Sequence, residues 1–83
     1  MTPLNFDGVN IVYAANQPEY EPLPAEKRDG RCGEIVTCWE LSPEELERVR
    51  DTGKIWLAVL TFNQPLQPLI VSVDKPEPYE GRG

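Results

Sequence analysis

Apolar residues along this chain concentrate in four short runs, at residues 9–15, 34–41, 55–62 and 69–73. The first two runs alternate imperfectly between apolar and polar positions, and the last two are almost continuously apolar. Short runs rich in β-branched and aromatic residues, bounded by Gly, Pro or Asn, are typical of β-strands. The pattern therefore predicts four strands.

Residues 42–52, between the second and third runs, carry the signals of a short helix. Ser42 is a suitable N-cap, Pro43 fits the first helical position, and Glu45 completes a capping box with Ser42. Gly53 is a suitable C-terminal stop. The sequence therefore predicts one helix with well-defined ends.

The charges of this helix match its dipole. Glu44 lies near the positive N-terminal end, and Arg48 and Arg50 lie toward the negative C-terminal end. Its apolar stripe consists only of Leu46 and Val49, and a helix of this length is marginal in water. We therefore expect packing against a sheet to stabilise it.

The segment 16–30 is rich in proline, which lacks the amide hydrogen that a strand ladder requires. It predicts an extended arm that docks on its own fold or on a second subunit; recognition by an aromatic groove of a partner is the alternative. The run 55–62 is apolar on both faces and needs a cover on each. The helix supplies one cover, and the arm or another subunit supplies the other. The predicted interface residues are Pro22, Pro24, Trp56 and Phe62.

Together these elements predict an α+β fold: a small antiparallel sheet of about four strands, one short helix at about 42–52, and the proline-rich extended arm. A parallel crossover around the helix is the alternative, because a connection of about a dozen residues just permits it. We expect one domain over residues 1–76 and a flexible tail at 77–83. A chain of 83 residues buries a modest core, so oligomerisation is expected to supplement it.

The formal net charge of −6 argues against a general binder of phosphate backbones, which needs a basic face. The first residues show no signal-peptide pattern, and the longest apolar run is far shorter than a membrane span. These features predict residence in the cytoplasm, where cysteines are mostly reduced.

Catalytic groups are scarce in the sequence. The chain has no histidine, which removes the commonest general base and metal ligand. Cys32 and Cys38 are too few to fill a zinc site. Cys38 is expected to be a small buried apolar residue, whereas Cys32, beside Arg31 in a loop, has the better environment for a reactive thiol. We therefore predict a non-enzymatic protein without a metal or cofactor.

Basic residues near the arm suggest a site for a small anion. Arginine and lysine side chains would contact a phosphate group, and an aromatic ring would stack on a base. For the tryptophans, core packing is the competing role. The candidate ligand-binding residues are Tyr20, Lys27, Arg28, Arg31, Trp39 and Lys54.

Several strings carry a resemblance to a known family: QPEY at 17–20, PLPA at 22–25, VTCWELS at 36–42, GKIWLAVLTF at 53–62 and PLQP at 65–68. Over about residues 9–76 the chain resembles small proteins encoded by tailed bacteriophages and prophages. Similar sequences have a longer, more apolar and basic helix where this chain has EELERVR at 44–50. The resemblance implies a phage accessory protein that acts in the host cytoplasm.

Three functional hypotheses follow. The first is an oligomeric, non-enzymatic binding protein that engages a host factor or sequesters a small anionic, nucleotide-like ligand. The second is a structural or scaffolding protein without a small-molecule ligand. The third is a small hydrolase that uses carboxylates or Cys32.

Overall fold

The computed structural model describes residues 1–78; residues 79–83, which contain most of the predicted flexible tail 77–83, lie outside the described part. Within that part, five short antiparallel strands and one helix occupy the first two thirds of the chain. This is a small α+β fold with antiparallel sheets, as the sequence predicts. The elements are β1 (Thr2–Leu4), β2 (Ile11–Tyr13), β3 (Leu23–Arg28), β4 (Glu34–Val36), β5 (Cys38–Glu40) and α1 (Pro43–Thr52).

The strands form two small sheets. One has the order β2-β3-β4, and the other pairs β1 with β5. The predicted strand 34–41 is thus divided at Thr37, with β4 in the first sheet and β5 in the second. Only Ala25 and Val36 are buried among the apolar residues of the described part, at 0 % and 7 % exposure. The core therefore lies between β3 and β4 and is very small.

Part of the proline-rich arm is paired with neighbouring strands, because β3 lies inside it. Ala25 pairs with Ile11 of β2, whereas the other half of β3, from Glu26 onward, pairs with β4. At Pro24, β3 has a neighbour on one side only, so the missing amide hydrogen can face away from the ladder. The predicted arm at 16–30 therefore contains a paired strand at Leu23–Arg28, which the sequence pattern did not predict.

The predicted strands at 55–62 and 69–73 are not strands in this structure. Their side chains have strand-forming character, but β propensity mainly reports how well a residue fits a packed, pleated surface. A strand also needs a backbone partner, and no described residue pairs with these two segments. The sequence pattern identified their apolar character correctly and their pairing incorrectly.

Both ends of α1 are capped as predicted. The Glu45 amide donates to Ser42 Oγ at 3.2 Å, and the Ser42 amide donates to Glu45 Oε1 at 2.8 Å. At the other end Gly53 is left-handed, with φ of +66°, and its amide donates to the Val49 carbonyl at 2.7 Å. The helix begins and ends where its capping residues place it.

The expected packing of the helix against a sheet is not observed, since α1 contains no buried residue. Leu46 is half-exposed, and Val49 is only partly covered. The Met1 ammonium instead forms an ion pair with Glu45 at 2.6 Å. The caps and this ion pair, rather than a buried apolar face, hold the helix. It is also too short and too polar to cross a membrane.

Cys38 is exposed, which corrects the expectation that it is buried. All three residues of β5 are exposed, so the described part of the chain leaves both faces of this strand open to solvent. Alternation along a strand separates its two faces, but it does not show that either face is covered.

Acidification is expected to weaken the helix N-terminus. The Met1 ammonium and then the Ser42 amide lower the pKa of Glu45 from 4.5 to about 2. A carboxyl group whose pKa is lowered by folding contributes stability above its unfolded pKa and loses it as pH falls through the folded pKa. We therefore expect the Tm of the protein to fall as pH drops from about 4.5 to about 2, measured by circular dichroism.

The variant Glu45→Gln should show a smaller acid-induced fall in Tm. Glu44→Gln is the matched control, because it removes an equal charge from the same helical turn outside the capping box. Equal acid sensitivity of Glu45→Gln and the unmodified protein would contradict the assignment.

Candidate interaction surface

Residues 55–73, which we call the apolar segment, form the most unusual surface of the molecule. They contain no charged side chain, although 27 % of the whole chain is charged. Trp56 is 90 % exposed and Leu60 is 80 % exposed. The other large apolar residues exposed in this segment are Ile55, Leu57, Val59, Phe62, Leu66, Leu69, Ile70, Val71 and Val73.

The fold holds the apolar segment at both ends. It begins after the left-handed cap at Gly53, where Lys54 donates its amide to Thr52 Oγ1 at 3.2 Å. It ends just before Lys75 and Pro76, which contact the sheet. The apolar segment is therefore a loop that is held at both ends.

Arg28 is the centre of a group of ion pairs that we call the clasp, formed by Glu26, Arg28, Glu34, Lys75 and the carbonyl of Pro76. Its Nε donates to Glu26, its Nη1 donates to Glu34 at 3.0 Å, and its Nη2 donates to the Pro76 carbonyl at 2.9 Å. Hydrogen bonds from Arg28 and then from Lys75 lower the pKa of Glu26. The three side chains from β3 and β4 are each less than one-fifth exposed.

Lys75 connects the clasp to the N-terminal loop. Its Nζ donates to the Asp7 carbonyl at 2.9 Å and to Glu26 Oε1 at 3.0 Å, and it lies 5.5 Å from the centroid of the Phe6 ring. Gly8 permits this approach, because it has φ of +110° and a Cβ there would overlap Glu26 Oε1. The clasp therefore joins the N-terminal loop, the sheet and the end of the apolar segment.

Within the apolar segment the backbone of residues 55–60 has no hydrogen-bond partner among the described residues. A turn follows, in which Phe62 and Asn63 have positive φ of 53° and 67°. The Gln64 amide donates to the Thr61 carbonyl at 3.0 Å. Two successive positive φ angles closed by such a bond are typical of hairpin turns. Residues 55–60 therefore form a stretch without backbone hydrogen bonds to described residues, and it ends at a reversal of the chain.

The exposed surface is too large for a compact monomer. The accessible area is 7414 Å², roughly half as large again as the ~5,000 Å² expected for a compact chain of this mass. Trp56 and Phe62, at 90 % and 79 % exposure, alone place on the order of 300 Å² of aromatic surface in water. Apolar surface of this extent is typical of a protein–protein contact.

A shallow pocket lies where the helix meets the start of the apolar segment. Its volume is about 200 Å³, below the ~300–1,000 Å³ of typical small-molecule sites. Arg48 and Lys54 supply positive charge beside the exposed ring of Trp56. The pocket is lined by Met1, Glu45, Arg48, Val49, Lys54, Ile55 and Trp56.

The residues predicted to bind an anion lie in different parts of the fold. Tyr20 is exposed in the turn before β3, where its amide donates to Gln17. Lys27 is exposed on β3, and Arg31 is exposed in the turn that follows β3. The backbone of Lys27 exchanges two hydrogen bonds with the Asn10 side chain, at 2.7 and 2.9 Å.

Arg28 is held in the clasp, where two carboxylates already compensate its charge, and this disfavours a phosphate contact there. Trp39 is partly exposed on β5 and donates its Nε1 hydrogen to Thr37 Oγ1 at 3.0 Å. Of the six predicted residues, only Lys54 lines the pocket. A shared anion site for all six stays a prediction, and this geometry gives it little support.

The predicted interface residues divide into two groups. Trp56 and Phe62 lie in the apolar segment and are almost fully exposed. Pro22 is exposed before β3, and Pro24 is half-buried within β3. The surface available for a partner is therefore centred on the apolar segment and not on the arm.

Sequence reasoning missed Lys75 and Gly8, because their partner Glu26 is far away in sequence and no local pattern marks such a contact. It also missed the extent of the apolar segment, for which the absence of charge over residues 55–73 was an available signal. Within residues 1–78 no group of three metal-ligating side chains is arranged to hold an ion.

The chain matches no family model, no curated protein and no solved structure. The fold and this surface define it as a small α+β protein that presents a tethered, uncharged apolar segment to solvent.

Proposed function

We propose that this chain is a phage-encoded, non-enzymatic binding protein that works as a homo-oligomer in the host cytoplasm, where it engages a host factor or sequesters a small anionic ligand. The copies associate through the apolar segment. The observation that carries the proposal is the exposure of this uncharged segment between two fixed ends. The phage origin and location rest on the resemblance of the sequence.

The absence of charge on the apolar segment allows a second copy to dock there, although each chain is acidic. Each chain carries a net charge of −6, so two copies repel each other over most of their surfaces. The apolar segment carries no charge, and two copies can meet there without bringing carboxylates together. The accessible area of 7414 Å² also exceeds that of a compact chain of this mass by more than the about 800 Å² per partner that a standard interface covers.

Light scattering tests the proposal directly. At micromolar concentration the protein should have a mass of at least twice the 9.4 kDa of one chain. Trp56→Glu should weaken association by about tenfold or more, because it places a charge at a central aromatic anchor. Trp39→Glu is the matched control, with the same substitution at a partly exposed tryptophan outside the apolar segment.

A strict monomer at these concentrations would contradict the proposal. The salt dependence gives a second criterion. Raising the salt concentration should maintain or strengthen self-association, since it screens repulsion between acidic copies. Association that weakens steeply with salt would indicate a contact between opposite charges and would also contradict the proposal.

For the small-molecule version of this function, we place the ligand at the shallow pocket where the helix meets the apolar segment. Arg48 and Lys54 beside the Trp56 ring suit an anionic aromatic ligand such as a nucleotide. Purified protein would then carry nucleobase absorbance beyond that of its tryptophans and tyrosines. Lys54→Ala should abolish the extra absorbance, whereas Lys27→Ala should not. Protein that is free of ligand when purified from infected cells would favour the host-factor or scaffolding alternatives.

A further inference from the structure

We infer that two copies meet by backbone pairing, in which residues 55–60 of one chain form an antiparallel strand with the same residues of the other. This inference rests on the proposed function, because it specifies how the copies associate. It gives the segment the strand partner that its sequence pattern requires and that no described residue of its own chain supplies.

The first argument concerns the backbone. The amide and carbonyl groups of residues 55–60 make no hydrogen bond within the described part of the chain. Apolar side chains cover this stretch, so closing a partner over it without satisfying these groups would be costly. Pairing with a second strand satisfies the groups on one edge while the side chains are covered.

The second argument concerns composition. Residues 55–60 contain no proline or glycine, and Ile55, Trp56 and Val59 are among the residues most favoured in strands. The turn at Phe62 and Asn63 ends this stretch, and Pro65 follows. The length that remains is close to the ~5–6 residues of a typical strand.

The third argument concerns symmetry. A two-fold interface uses the same patch on both subunits, so each residue must tolerate its symmetry-related neighbours. An uncharged strand paired antiparallel with its own copy brings no like charges into opposition. The clasp and Gly53 hold both ends of the apolar segment, which reduces the conformational entropy lost on pairing.

Proline substitution tests backbone pairing separately from apolar contact. Neighbouring amides of a strand point to opposite edges, so either Ala58→Pro or Val59→Pro must remove a ladder donor. We expect at least one of them to weaken dimerisation by about tenfold or more. Gln67→Pro, in the proline-rich connection of the same apolar segment, should leave the dimerisation constant unchanged.

Hydrogen exchange supplies a second readout that does not depend on variants. Amides within residues 55–60 should be protected in the oligomer and should lose protection on dilution to the monomer. If the protein is oligomeric but Ala58→Pro and Val59→Pro both associate normally and these amides exchange freely, the strand-pairing inference is overturned while the proposed function stands. A monomeric protein would overturn both.

Discussion

Val36→Ala is expected to lower the free energy of unfolding by about 2 kcal/mol, from the loss of two buried methyl groups and the cavity they leave. Val36 is 7 % exposed and, with Ala25, forms the buried apolar core of the described part. A core of this size supplies only a few kcal/mol in total. Urea denaturation followed by circular dichroism should show a large shift of the midpoint.

Ile35→Ala is the matched control for this variant. Ile35 neighbours Val36 on β4, is also β-branched, and loses more carbon atoms in the substitution, but it is 49 % exposed. We expect its loss to be below about 1 kcal/mol, because much of its side chain is already in water. An equal loss at both positions would show that the exposed face of β4 is covered in solution.

Arg28→Ala is expected to lower the Tm by roughly 5 °C or more and to release the end of the apolar segment. The substitution leaves the partly buried carboxylates of Glu26 and Glu34 without their shared cation and removes the hydrogen bond to the Pro76 carbonyl. Limited proteolysis should then cut near Pro76 faster than in the unmodified protein.

Arg31→Ala separates the effect of the clasp from that of net charge. It makes the same change in charge as Arg28→Ala, but Arg31 is exposed in the turn after β3. Arg28→Lys should recover only part of the stability, because an ammonium group cannot reproduce the forked contacts of guanidinium. The role of the clasp would be refuted if Arg28→Ala and Arg31→Ala had the same Tm and the same cleavage rate.

The two largest expected effects are those of Val36→Ala and Arg28→Ala, and the sequence predicts the role of Val36 better than that of Arg28. Val36 belongs to a run whose alternation indicates a strand, so an inward side chain at Val36 or Ile35 could be expected from sequence. The sequence could not show which of these two side chains points inward, because alternation treats the two faces of a sheet alike. Arg28 was recognised as a basic residue, but its partners at Glu34 and Pro76 depend on long-range folding.

The site was predictable to a similar extent. The sequence predicts Trp56 and Phe62 as interface residues, and in the structure both side chains are exposed and available for a partner. The arm was expected to cover part of the run 55–62, yet residues Leu23–Arg28 of the arm form β3 within the chain. The pairing of β3 with both neighbours depends on where Pro24 falls relative to β2 and β4, which no local signal gives.

By itself, the sequence determined the helix, its capping box at Ser42 and Glu45 and its stop at Gly53, because these depend on contacts within a few residues. It also determined that residues 55–73 are apolar and uncharged. Only the tertiary structure decided that β3 lies within the proline-rich region, that the clasp fixes the end of the apolar segment, and that this segment has no strand partner among residues 1–78. Those outcomes depend on which distant backbones meet, and side-chain patterning specifies the faces of an element without specifying its neighbour.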